Sequence, residues 1–238
     1  AFGWRETVFG LAAVTAVVGV AVFALVRDPA RVEAGQGGSV LSLLRIPQLW
    51  PIFAMMFVCY APAAGLRGLW LGPYFTDVWG YSRAEIGQAG LWMGLAMVAG
   101  SFAYGPLDRW FGTLKWVIFI GNLLMGLCVA GLALWAGQSP GLALALLVGV
   151  GFFGATFPLV VAHAKAFFPP HLIGRGVTLV NLFGIASAGI AQEVTGRIHA
   201  ASVVPGDAAT PFQAVFAFFA VAVALGLAVY LMSQDRRG

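Results

Sequence analysis

Arg67 lies in a stretch, WPIFAMMFVCYAPAAGLRGLWLGPYF (residues 50–75), that contains no other charged residue. If that stretch is a membrane helix, an arginine near its middle costs roughly 2.5–3.5 kcal/mol on insertion scales, so its presence asks for a reason. Tyr60 and Tyr74 stand seven residues to either side of it. That spacing places all three on one helix face, together with the small residues Ala63 and Ala64. The chemistry on offer is recognition: a guanidinium on a cavity wall can hold the carboxylate or phosphate of a solute. A second reading stays open, in which Arg67 lies near the outer end of its helix and snorkels to the interface.

Other polar residues inside apolar runs are Gln88 and Trp92, four apart; Thr156 and His163, seven apart; and Thr178 and Asn181. Each could line a cavity or hold helices together, as Ser, Thr, Asn and Gln do in membranes. Trp92, Thr156 and Asn181 join Tyr60, Arg67 and Tyr74 as candidate substrate-binding residues, and Asn122 is assigned to helix–helix contact. Glu193 and Arg197 form an i,i+4 pair, which reads as local stabilisation. No nucleophile constellation, phosphate loop or metal-ligand spacing occurs, so no catalytic residue, metal or cofactor is expected. Cys59 and Cys128 both sit in apolar runs and suit neither a disulfide nor a metal site.

The other concentration of charge is GPLDRWFGTLKW, residues 105–116, with Asp108, Arg109 and Lys115. No Asp, Glu, Lys or Arg occurs from Ile86 to Leu107 or from Trp116 to Ala164. The whole chain is 61% hydrophobic and 9% charged, against about 25% charged in a typical soluble domain. Its main solvent must therefore be the lipid bilayer. The net charge of +4 is accordingly a matter of topology, and nucleic acid is not an expected partner.

A bilayer core of about 30 Å takes about 20 apolar residues as helix. The apolar runs are continuous rather than alternating, which favours helices over barrel strands. Seven spans are expected, at 5–27, 49–75, 85–106, 115–136, 141–164, 176–199 and 211–232. The 49-residue uncharged run from Trp116 to Ala164 is too long for one crossing, and Gly137-Gln138-Ser139-Pro140-Gly141 should fold it into a hairpin. The first run is longer than a secretion signal's apolar core and is followed by Arg27, so it reads as a span. One set of span ends holds nine basic residues: Arg27, Arg31, Arg45, Arg109, Lys115, Lys165, Arg175, Arg236 and Arg237. The other holds Arg5, Arg83 and Arg197. The positive-inside bias puts the N-terminus outside and the C-terminus in the cytoplasm, in a cell (inner) membrane.

GWRETVF followed by an apolar run and RDPA, then GPLDRWFGTLK, then FPPHLIGRGVTLVNLFG (168–184), resemble in order and spacing the major facilitator superfamily (MFS) of secondary transporters. The resemblance implies an all-α membrane fold with residues 1–28 as the last helix of a missing N-terminal half, 29–48 as the cytoplasmic inter-half loop, and 49–238 as the C-terminal six-helix bundle. It also implies a gating loop. Asp108 would sit at a helix N-terminus of the opposite half, with Arg109, Lys115 and Arg175 pairing nearby and releasing when the transporter opens inward. The loop departs from the family pattern: two residues separate Arg109 from Gly112, and Thr113 replaces the first basic residue. The family's two inverted three-helix units would begin with the first and fourth spans of the bundle, and each of these carries a proline, Pro62 and Pro158. Matched interruptions of this kind mark a binding site in such transporters, although a kink for flexibility alone is the plainer account.

The function implied is secondary active transport of a small-molecule substrate by alternating access, possible for an organic anion because of Arg67, with a proton or counter-substrate as coupling partner. Efflux of hydrophobic drug-like compounds is the alternative cargo, given the many aromatics. A seven-helix receptor or a membrane scaffold are the rival classes. A retinal sensor is ruled out, since Lys115 and Lys165, the two lysines, both lie at helix ends.

Overall fold

The structure, a computed structural model, describes residues 3–27 and 38–235, without the side chains of Asp108 and Arg109. The chain divides into two units, Ala1–Gln36 and Gly37–Gly238. The described residues of the first hold one helix, α1 (Trp4–Leu25), with Glu6 in its first turn, where a carboxylate meets the positive end of the helix dipole. Thr7 and Thr15 return their hydroxyls to the carbonyls of Gly3 and Leu11, which removes free polar groups from an apolar helix.

The second unit makes six crossings. Three pieces, α2 (Trp50–Cys59), α3 (Ala61–Gly65) and α4 (Leu71–Trp79), form the first, with a π-helical turn at Leu66–Trp70 between α3 and α4. Then come α5 (Arg83–Phe111) and α6 (Leu114–Trp135). The next crossing is α7 (Pro140–Phe153) plus α8 (Phe157–Lys165), followed by α9 (Ile173–Ala201) and α10 (Thr210–Tyr230). With α1 this makes seven helices long and apolar enough to span a membrane among the described residues, at the seven places expected from the apolar runs.

Local chemistry sets the ends. Ser82 and Glu85 form a reciprocal capping box at the start of α5, the side chain of each meeting the backbone of the other. Gly80 and Gly112 end α4 and α5 with φ of 66° and 62°, a conformation that glycine adopts without penalty. Ser139 caps α7 directly after the Gly137-Gln138 turn, so the hairpin falls where glycine and proline were expected to place it.

Packing within the unit has a two-fold pattern. α5 lies chiefly on α7, and α9 correspondingly on α2; α6 lies on α7, and α10 on α2; α6 and α10 lie on each other. Exchanging α2–α4 with α7–α8, α5 with α9, and α6 with α10 therefore preserves the contacts. Three crossings is an odd number, so the second set starts at the opposite membrane face and the relation is an inversion.

α5 and α7 approach each other backbone to backbone. A Cβ on Gly151 would stand 2.7 Å from the carbonyl oxygen of Met93, and one on Gly100 would fall on the carbonyl of Phe152. Lipid gives helices no hydrophobic reason to associate, so such small-residue contacts carry the packing. Large apolar side chains such as Phe102, Leu127, Leu134 and Ile185 point outward, the reverse of a soluble protein.

Candidate functional site

Both first helices of the two three-helix units are broken. α2 stops at Cys59 and α3 restarts with Pro62 in its first turn. α7 stops at Phe153 and α8 restarts with Pro158 in its first turn. Proline lacks an N–H and is at home at a helix start, where that donor has no partner anyway. The breaks meet. The Tyr60 ring lies 5.2 Å from the Phe157 ring, and a Cβ on Gly154 would touch that of Ala63 at 3.5 Å.

Arg67 lies in the π turn, about two turns beyond the first break. A π turn inserts one residue into the helix and occurs often at functional sites. The Arg67 side chain is exposed and lies across α5 at Gly94, where a Cβ would stand 3.5 Å from Nη2. Gly90, Gly94, Met97 and Ser101 of α5 line the same cleft, of about 420 Å³. Among the described residues the guanidinium has no hydrogen-bond or ion-pair partner.

The structure does not bring Tyr60 and Tyr74 to Arg67. The break at Tyr60 and the π turn each shift the helical phase that a seven-residue spacing assumes. Tyr60 is half-buried on Phe157. Tyr74 is fully buried, donates its hydroxyl to the carbonyl of Ala136 at 2.6 Å, and packs edge-on against Phe212 and Phe216. Trp92 is half-exposed on α5 and is not among the residues lining the Arg67 cleft. Thr156 is buried in the turn between α7 and α8, where its hydroxyl oxygen accepts from Asn122 Nδ2 at 2.9 Å. Asn181, on α9, has a buried Oδ1 with no partner.

Asp108 and Arg109 fall in the last turn of α5, and their side chains lie outside the described residues. Lys115 Nζ donates to the carbonyls of Leu231 and Ser233, at 2.7 and 2.6 Å, and so caps the C-terminal end of α10. Arg175 Nη1 donates to the carbonyl of Gly38 at 2.6 Å, holding the segment before the first 3-10 turn (Val40–Arg45) to α9. Glu193 and Arg197 form the ion pair that their spacing predicts, at 2.8 Å.

His163, which spacing paired with Thr156, instead joins α8 to the end of the chain's last helix. Fully buried in α8, it reaches the Tyr230 hydroxyl with Nδ1 at 2.7 Å and the Gln234 carbonyl with Nε2 at 2.9 Å. A carbonyl can only accept, so in the neutral ring Nε2 carries the proton and Nδ1 accepts from Tyr230. Trp70 Nε1 likewise donates to Thr195 Oγ1 at 3.0 Å, joining the π turn to α9. Both links join residues far apart in sequence, and no local signal marks them. The role of Gly94 had a signal, since Gly90 and Gly94 recur four apart on one face of α5.

Residues 59–238, about three-quarters of the chain, match the Major Facilitator Superfamily. A comparison with curated proteins finds no match. The match takes in both helix breaks, the π turn with Arg67 and the charged turn after α5, and the receptor and scaffold readings fall with it. The chain belongs to the Major Facilitator Superfamily, as a multi-pass and non-enzymatic secondary transporter of the membrane.

Proposed function

We propose that the cargo is a small organic anion and that Arg67 is the cation that binds it. The observation that carries this reading is a guanidinium with no partner among the described residues, on a π turn facing a cleft cut by Gly90 and Gly94. Its depth argues against simple snorkelling. The crossing Pro47–Trp79 has 33 residues. Centred on the bilayer, it places Arg67 about 6 Å from the midplane at ~1.5 Å per residue, and about 9 Å of hydrocarbon then separates it from the outer interface. A cation at that depth is costly and marks a solute pathway unless another group neutralises it.

In this reading the bundle 49–238 works as the C-terminal half of a two-half transporter. Residues 1–28 supply the last helix of the preceding half, and 29–48 form the cytoplasmic loop between the halves. The bias of nine basic residues against three supports an N-terminus outside, a cytoplasmic C-terminus and an inner-membrane location. No bond is made or broken. The halves rock about the site at the crossed breaks, Asp108 latches the cytoplasmic side against a helix N-terminus of the other half, and a proton or counter-substrate gradient supplies the energy.

The test is uptake by the full-length gene product in proteoliposomes against a panel of carboxylates, organic phosphates and neutral hydrophobic compounds. Arg67→Gln should abolish anion uptake. Arg67→Lys should weaken it, because an ammonium cannot match a carboxylate with two parallel bonds. Full anion transport by Arg67→Lys and Arg67→Gln, or transport confined to the neutral hydrophobic compounds, overturns the assignment.

A further inference from the structure

The two-fold pattern gives the bundle two equivalent wedges between consecutive helices. One lies between α9 and α10 and is floored by α2 and α3. There Phe218 and Phe219 close on Ser187 and Ala191, leaving about 50 Å³. The other lies between α5 and α6 and is floored by the end of α7. Here α5 and α6 both lean on α7 and scarcely meet each other beyond the Gly112 turn, leaving about 260 Å³. One wedge of the pair is filled by the protein's own rings and the other is not.

The open wedge is walled by hydrocarbon, with Leu107 and Phe111 on α5, Trp116, Ile120 and Leu124 on α6, and Phe153 on α7. Two of its three polar side chains are already engaged, and the third, Trp116, adds one indole N–H at the exposed rim. Tyr104 donates its hydroxyl to the Phe153 carbonyl at 3.0 Å, and the Thr113 hydroxyl accepts from the Trp116 N–H at 3.3 Å. A polar solute would give up its water along the length of the wedge and find polar groups only at the Thr113–Trp116 rim. The rim is exposed, Phe111 by 67%, Trp116 by 48% and Ile120 by 52%. The wedge therefore opens sideways on the apolar flank of two membrane spans. Its length is also telling. From Thr113 to Leu124 the α6 axis advances about 16 Å at ~1.5 Å per residue, and half of a ~30 Å hydrocarbon core is about 15 Å. The wedge runs one leaflet deep, starting at the turn.

We propose that the α5–α6 wedge is a binding site for one acyl chain of a phospholipid, from the leaflet that meets the Gly112 turn. The chain takes the place that Phe218 and Phe219 occupy in the equivalent wedge, and an empty space there would forfeit contacts along every wall. Recognition is of hydrocarbon: Lys115, at the mouth, has its ammonium committed to the carbonyls of Leu231 and Ser233. The site is independent of Arg67 and of the nature of the cargo.

The test uses the full-length protein in phosphatidylcholine vesicles containing a trace of phospholipid with a diazirine on one acyl chain. After photolysis, label is mapped by peptide mass spectrometry. Label should concentrate on residues 103–124, with the 187–222 wedge at the level of the other outward faces. Ala103→Trp, which fills the wedge, should bring 103–124 down to that level. Equal labelling of the two wedges in the wild type overturns the proposal without need of the variant. So does a 103–124 segment that stays unlabelled because another part of the protein or a hydrophobic solute fills the wedge.

Discussion

Replacing Gly151 by alanine should force α5 and α7 apart at their crossing. The new Cβ would stand 2.7 Å from the Met93 carbonyl oxygen and 3.2 Å from Met93 Cγ. Carbon–oxygen contacts between packed helices settle at about 3.3–3.6 Å, so the helices must separate by about 0.6 Å or more. No rotamer change relieves the clash, because the obstructing atom is backbone. Gly100 sets the same constraint from the other side, against the Phe152 carbonyl. Overpacking of this sort costs about 1–3 kcal/mol, and the lost Cα–H···O contact about 0.5–1 kcal/mol more. Alanine's better helix propensity offsets roughly 1 kcal/mol, for a net loss of about 0.5–3 kcal/mol. Gly189 in α9 is the control, since a Cβ there meets nothing within 4 Å and alanine should be neutral or stabilising by up to ~1 kcal/mol. Thermal unfolding of the two purified variants beside the wild type should move the midpoints in opposite directions. If Gly151→Ala proves as stable as Gly189→Ala, the backbone contact is not what holds these helices.

Tyr74→Phe leaves the buried Ala136 carbonyl without its side-chain donor and should cost about 1–3 kcal/mol; a thermal midpoint unchanged from wild type would show that the bond contributes nothing. In a double-mutant cycle, Asn122→Leu and Thr156→Val should couple by about 0.6 kcal/mol, the average for polar pairs in membranes, and strict additivity would remove Asn122 as a link between α6 and the α7–α8 turn. Asp207 accepts from the Thr210 hydroxyl and from the backbone N–H groups of Ala209 and Thr210, which holds its carboxyl below the usual range. A lowered folded-state pKa contributes stability that is present above the unfolded value and lost as pH falls through the folded one. Asp207→Asn should therefore flatten the fall in stability below about pH 4, and identical acid limbs for variant and wild type would refute the cap.

What was legible in the sequence was local. Apolar run length gave the seven crossings, Gly137 to Gly141 gave the hairpin, and the four-residue spacing of Glu193 and Arg197 gave their ion pair. Pro62 and Pro158 marked the places where the two first helices stop and restart. The shared face of Tyr60, Arg67 and Tyr74 was misread because it assumed one unbroken helix. No residue type encodes the π turn at Leu66–Trp70, which arises where Trp70 bonds Thr195, 125 residues away. Lys115 was expected to pair within a gating loop, and its partners are two carbonyls near the far end of the chain. Composition likewise counts 32 glycines, but only packing distinguishes Gly151, pressed on a backbone, from Gly189, facing open space.

The two three-helix units do the same structural work with different residues. In each, the last piece of the broken helix bonds a carbonyl at or beyond the end of that unit's third helix: Tyr74 to Ala136, and His163 to Gln234. A phenol and an imidazole share no sequence signal, so the repeat is visible in space and hidden in the chain. The differences fall elsewhere. The π turn and its arginine belong to the first unit, and the equivalent α7–α8 crossing has no charged residue from Pro140 to Ala164. The open wedge also belongs to the first unit. A two-fold frame can rock about its axis whatever residues build it. A charge held on one side of that axis can orient a solute, and this is the role we propose for Arg67.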